Sequence, residues 1–238
     1  AEAEFTYRFA NPTELAWLEE KANTISEIVD FRSMILVERE TTERVLTQVK
    51  AVDENYPLMG EVNLFSNVIL SDALQKRKGL PGAVIEKILV DRLDLKLGDT
   101  FKLGQTQFHL GGVIETIPDN GSDGFGLGPR TIVYTTDLED SGLLTPGTLF
   151  STKYRLDLKE NINLDSVSKT AVEKFETTGM RWKDARNAAP GISEFVRRLE
   201  TFLVLVGLSG LIVGGVGIAA SVRSYLLLKT ATIATLRS

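Results

Sequence analysis

Few side chains in this sequence are equipped for catalysis, and the first to weigh is its single histidine, His109. It lies between Phe108 and Leu110 in an alternating run, which predicts a strand with His109 on the polar, solvent-facing side beside Gln107. With no second histidine and no cysteine, the chain lacks the ligand set of a zinc site. General-base chemistry would also need a nucleophile, yet the GxSxG elbow is absent, and the nearest string, Gly207 to Gly210, falls in an apolar run. No GxxxxGK(S/T) loop occurs, so the chain cannot cradle ATP phosphates in the P-loop manner, and any ATPase must be another chain or domain. Asp119, Asn120, Gly121, Ser122, Asp123 and Gly124 have the texture of a calcium loop, but Arg130 stands at the twelfth position, where a bidentate Glu belongs. The expectation is a chain without catalytic residues, cofactor or metal.

Binding residues are easier to find. Between Pro118 and Pro129, Gly121, Gly124, Gly126 and Gly128 loosen a loop that displays Phe125 and Leu127. Apolar side chains in such a loop are read as a contact for a partner protein or an apolar ligand, against the plainer reading of a mobile hairpin. The net charge of −5 and pI near 5.2 exclude the phosphate-facing cation surplus of a nucleic-acid binder. At 43% hydrophobic and 25% charged residues the bulk of the chain can bury a core, and without cysteine the redox compartment stays open.

These residues need elements to hold them. Asn11 to Ala22 reads as a short helix with Pro12 at its start. Ile28 to Glu38 and Arg44 to Val52, rich in Val, Ile and Leu, read as strands, followed by a turn at Asp53 to Asn55. Asp72 to Thr148 has a different texture: a short helix near Ala73 to Arg77, a Gly79 to Gly82 turn, and short strands at Val84 to Leu89, Thr100 to Leu103 and Gln107 to Ile117. Phe150 to Leu158 (strand), Leu164 to Thr177 (amphipathic helix) and Met180 to Asp184 (strand) restore the alternation. The pattern is an α/β unit interrupted by a β-rich insertion.

From Phe202 to Val222 the chain carries no charge, and at about 1.5 Å per residue that run crosses a hydrocarbon core of about 30 Å. Gly207, Gly210, Gly214, Gly217 and Ser221 recur three and four apart, a helix-packing stripe containing one GxxxG pair. Upstream, Ile192, Phe195, Val196, Leu199, Phe202 and Leu203 form the apolar side of an amphipathic stalk that starts at Pro190. A continuous helix from about Gly191 to Leu228 would outrun the bilayer. Lys183, Arg186, Arg197 and Arg198 before the span balance Arg223, Lys229 and Arg237 after it, so charge leaves orientation open. Ala1, Glu2, Ala3 and Glu4 are neither an initiator nor a signal peptide, which suggests a fragment whose export signal or first span lies upstream.

Several phrases together resemble a known family: Phe31-Arg32-Ser33-Met34, Val49-Lys50-Ala51-Val52-Asp53 with Tyr56-Pro57-Leu58, Leu97-Gly98-Asp99-Thr100, and Gly124-Phe125-Gly126-Leu127-Gly128-Pro129-Arg130. To these add the glycine-striped span and Ile233-Ala234-Thr235-Leu236-Arg237. In this order along the full length, the chain resembles the FtsX/MacB/LolC-type ABC transporter permeases, above all their YbbP-like branch. The resemblance implies an α+β (α/β-type) extracytoplasmic domain with a β-rich inserted subdomain, followed by a transmembrane α-helix. The expected boundaries are 1–62 with 149–188 for the porter-like subdomain, 63–148 for the insertion, 189–201 for the stalk, 202–222 for the span and 223–238 for a cytoplasmic segment. It further implies a bacterial inner (plasma) membrane protein with its soluble domain in the periplasm, further transmembrane helices of the same permease, and a separate cytoplasmic ABC ATPase. Ile233, Ala234, Leu236 and Arg237 would couple to that ATPase; the alternative is that this segment lies in the membrane interface, anchored by Lys229 and Arg237. Lipids, lipoproteins or other hydrophobic compounds are the implied substrates, with a periplasmic partner protein as the recipient of mechanical work. The competing function is a membrane-anchored sensor or adaptor that regulates a periplasmic hydrolase.

Overall fold

The computed structural model describes residues 1–39, 41–66, 68–118, 128–145, 147–160, 162–184 and 190–235, without the side chains of 176, 190–197 and 227–235. Residues 1–188 form one compact unit and 189–238 a second.

The first strand, β1 (Glu2–Thr6), shows how the sheet is divided. Ala3 and Phe5 are fully buried, while Glu2 and Glu4 point the other way, as period-two alternation requires. Helix α1 (Pro12–Lys21) starts where proline at its first position predicts. Asn11 caps it: its side chain accepts from the Glu14 N–H at 2.9 Å, and Glu14 accepts in return from the Asn11 N–H at 2.8 Å. The same buried Glu14 carboxylate takes both ends of the Arg8 guanidinium, at 2.7 and 2.8 Å, and the Thr178 hydroxyl at 2.6 Å. Trp17 and Leu18 of α1 then pack on Ala3 and Phe5, together with Val167, Ala171 and Phe175 of a later helix, Leu164–Phe175.

The long hairpin of β2 (Ala22–Glu38) and β3 (Thr42–Val52) is in register from Ile28↔Val52 to Glu38↔Thr42. Strands β4 (Asn63–Leu64), β5 (Gly82–Glu86), β6 (Thr100–Leu103), β7 (Thr106–Thr116) and β8 (Arg130–Tyr134) follow, with short helices α2 (Leu70–Leu74) and α3 (Lys87–Arg92). Then come β9 (Phe150–Leu158), α4 (Leu164–Phe175) and β10 (Arg181–Lys183). The described strands form one sheet in the order β10-β1-β9-β2-β3-β8-β5-β7-β4, with β6 pairing β2 and β7. Most neighbours are antiparallel; β3 with β8 and β5 with β7 are parallel.

Three expectations are corrected. The run Val84 to Leu89 is not one strand: β5 ends at Glu86 and Leu89 belongs to α3, where it is buried, because a short apolar run has no period that separates strand from helix. The short helix occupies Leu70–Leu74 rather than Ala73 to Arg77, and Arg77 instead bridges Leu80. His109 does not face solvent. It is buried, with Nε2 3.0 Å from the Gln75 carbonyl just beyond α2, and that acceptor requires Nε2 to carry the proton. The alternation argument fails there because β7 is covered on both sides: α2 lies so close that a Cβ at Gly111 would sit 1.8 Å from the Ala73 carbonyl oxygen.

Helix α5 (Pro190–Thr235) contains an apolar stretch, Arg198–Leu226, within which an 18-residue window has a mean hydropathy of 2.4 and is not buried. By length and composition it can cross a membrane.

The Glu14 cluster makes a testable point. Burial by itself would push this carboxyl up, but Arg8, Thr178 and the Asn11 N–H outweigh it and hold the group below its ordinary 4.5. A depressed folded value means stability that is present above the unfolded value and lost as pH falls through the folded one. Glu14→Gln should cost about 2 kcal/mol at neutral pH and flatten the acid limb of a urea-denaturation series between neutrality and pH 3. An unchanged acid limb would show that this cluster does not hold α1 in place.

Candidate functional site

The face of the sheet opposite α1 and α4 carries charge at alternate positions of adjacent strands, and directly opposed residues share a face. Glu2 lies across from Arg155 on β9 and Lys183 on β10, and Glu4 from Lys153 and Arg181. On β2, Ile28 opposes Lys153 and Asp30 opposes Ser151; on β3, Lys50 opposes Asp30. The side chains close into a lattice: Lys183 Nζ to Glu4 Oε2 at 2.6 Å and to Glu2 Oε1 at 3.7 Å, and Arg155 Nε to Glu2 Oε2 at 3.2 Å. Lys153 Nζ reaches Asp30 Oδ2 at 2.9 Å and Lys50 Nζ reaches Asp30 Oδ1 at 3.6 Å.

The inner end of this lattice is dry. Asp30, Lys50 and Lys153 have side chains 9%, 4% and 9% exposed. The Asp30 oxygens nevertheless receive no well-directed hydrogen bond, so the two ammonium groups hold the carboxylate mainly by charge. Beside it opens a cleft of about 840 Å³, lined among others by Glu4, Thr6, Tyr7, Asp30, Arg32, Gln48, Leu149 and Arg181.

A second cleft, about 610 Å³, has the opposite character, with Glu27, Asp53, Glu54 and Glu139 in its wall. Burial pushes the Glu27 carboxyl up and nearby Asp53 pushes it further, against the hydrogen bond it shares with the Tyr154 hydroxyl. Burial and the Glu27 charge likewise push the Tyr154 phenol up. Asp53 is tied down by the Ser26 hydroxyl and the Glu27 N–H, both at 2.8 Å. Among the described residues no three His, Cys, Asp or Glu side chains converge as a metal site would need.

The residues singled out by sequence lie elsewhere. Phe125, Leu127, Leu236 and Arg237 fall outside the described residues, and only the backbone of Ile233 and Ala234 is described, within α5. Gly207, Gly210, Gly214, Gly217 and Ser221 are all exposed on α5, and a Cβ at any of the four glycines would meet nothing among the described residues within 4 Å. The charged lattice was not anticipated. Its signal was present in Glu2-Ala3-Glu4-Phe5 and Lys153-Tyr154-Arg155-Leu156, which alternate charged with apolar residues, but alternation does not reveal which strands become neighbours.

No family model matches the chain. It is 25% identical over 213 residues to the uncharacterized ABC transporter permease YbbP of Escherichia coli (strain K12), an alignment that takes in 88% of this chain. The chain spans about a quarter of that relative's length (25%). Its fold is similar to the periplasmic region of MacB from Actinobacillus actinomycetemcomitans, with a TM-score of 0.52 and 11% identity over 81% of this chain and 92% of that one. The extracellular domain of the noncanonic ABC-type transporter YknZ from Gram-positive bacteria superposes less well, with a TM-score of 0.46 and 14% identity over 75% of this chain and 86% of that one.

The lattice predicts a large penalty for opening it at its centre. Asp30→Ala takes the shared carboxylate from two buried ammonium groups and should cost about 3 kcal/mol, with part recovered by adding Lys153→Met, as measured by urea denaturation in uncharged detergent. A loss below about 1 kcal/mol, the size of an exposed ion pair, would mean the lattice is solvated and not structural.

In sequence, then, the chain is similar to an ABC transporter permease and in fold to the periplasmic region of MacB: a mixed α/β domain followed by a helix long and apolar enough to span a membrane.

Proposed function

We propose that this chain supplies an extracytoplasmic domain and an adjoining membrane helix to an ABC transporter permease whose ATP is hydrolysed by a separate cytoplasmic subunit. The observation that carries this reading is the similarity to a permease over 88% of the chain, in a sequence that without a P-loop cannot hold nucleotide in the usual manner. The fold shared with a periplasmic region supports a periplasmic location for residues 1–188, with the helix in the bacterial inner membrane. Within that unit, 1–62 with 149–188 would act as the porter-like subdomain and 63–148 as the insertion. Beyond it, 189–201 would be the stalk, 202–222 the span and 223–238 the cytoplasmic segment.

In this reading the glycine stripe from Gly207 to Gly217, with Ser221, packs against further helices of the permease, since small residues let backbones approach closely where lipid provides no hydrophobic drive. Residues Ile233, Ala234, Leu236 and Arg237 engage the ATPase. ATP-driven movement then passes to the periplasmic domain, and lipid-like, lipoprotein or other hydrophobic substrates are handled at the membrane or by a periplasmic partner protein. Phe125 and Leu127 are candidate contacts for that partner or substrate.

Ile233 and Leu236 are three residues apart and share a helical face. In the assembled permease, Ile233→Asp with Leu236→Asp should abolish copurification of the ATPase and ATP-driven function. Residues 1–188 keep their own core and should stay folded by circular dichroism. If the double variant still binds the ATPase and supports normal turnover, the segment lies in the membrane interface and the coupling assignment is wrong.

A further inference from the structure

We propose that the cleft of about 840 Å³ on the charged face binds the acidic head of a phosphate-bearing amphiphile. The carboxylates lining it are already matched: Asp30 by Lys153 at 2.9 Å and Lys50 at 3.6 Å, and Glu4 by Lys183 at 2.6 Å. Arg32 and Arg181 line the same cleft, both exposed, and neither makes a hydrogen bond or ion pair among the described residues. The cleft thus keeps two uncommitted guanidinium groups although the chain as a whole carries a net charge of −5. A guanidinium is planar, weakly hydrated and rich in donors, which suits it to phosphate oxygens better than a point charge would be.

Apolar side chains also line the cleft. Tyr7 is 61% exposed and Leu149 is 74% exposed, and both belong to its lining. Tyr7 is also held at φ 63°, in the left-handed region that a bulky residue rarely adopts, with its N–H donating to the Phe150 carbonyl at 2.7 Å. That conformation keeps an aromatic ring in the lining of the cleft at a conformational cost, the kind of local strain found at ligand-facing positions. A bare anion would use the arginines and leave Tyr7 and Leu149 wet; an amphiphile uses both.

The test is binding by the 238-residue chain in uncharged detergent, with no ATPase present, so its outcome is independent of the transport reading. The probes are dibutanoyl phosphatidic acid, dibutanoyl phosphatidylcholine and glycerol 3-phosphate, followed by thermophoresis. Phosphatidic acid should bind tightest. Arg32→Gln and Arg181→Gln should each weaken it roughly tenfold with unchanged circular dichroism and Tm, because neither side chain has a partner to lose. Leu149→Ser should weaken phosphatidic acid but not glycerol 3-phosphate. Equal affinity for glycerol 3-phosphate, still dependent on both arginines, would keep the phosphate site but overturn the amphiphile in favour of a soluble ligand. Binding of phosphatidic acid that survives both substitutions, or no binding of either phosphate probe, overturns the proposal.

Discussion

A carboxylate held between two ammonium groups on one face of the sheet constrains much of the unit formed by residues 1–188. Removing Asp30, Lys50 and Lys153 from water is costly, and their mutual proximity helps to offset it. That proximity requires β9 to lie against β2, which in turn places β1 and β10 on the outer side of β9. The two ends of the domain are therefore joined through one strand. Glu2 and Glu4 from the N-terminus meet Lys153, Arg155 and Lys183, which lie about 150 to 180 positions later in the chain.

The same sheet solves two different packing problems. On β1 and β9 one face is apolar and covered by α1 and α4, leaving the other to charge. Farther along, β7 is covered on both sides: Phe108 and Leu110 enter one core, while Gly111 and His109 lie under α2. The absence of a side chain at Gly111 is what allows the Ala73 carbonyl so near. A polar imidazole is tolerated there because the carbonyl of Gln75, next to the end of α2, accepts its proton.

The charged face and α5 call for different surroundings. A lattice of half-buried ion pairs suits a domain in water, whereas the stretch from Arg198 to Leu226, with an unburied 18-residue window of mean hydropathy 2.4, suits hydrocarbon. Two clefts of opposite sign on one domain also sort ligands by charge: the cationic one lined by Arg32 and Arg181 attracts anions, and the acidic one around Glu27, Asp53, Glu54 and Glu139 repels them.

Local physics was legible in the residues themselves. Pro12 announced α1, the Val- and Ile-rich runs announced β2 and β3, and the uncharged run from Phe202 announced α5, because capping, alternation and hydrophobic length depend on neighbours a few positions away. Strand β1 and the lattice were not legible, since five residues with two glutamates have no meaning until a partner strand supplies Lys153 and Arg155. His109 misled for the same reason: alternation assigns a side, but only tertiary packing decides whether that side is covered. Sequence by itself determined the elements, the apolar helix and the lack of a P-loop, because each is a property of contiguous residues. Only the tertiary structure decided which charges are paired, which arginines are left unpaired and where a cleft opens, because these depend on contacts between strands far apart in the chain.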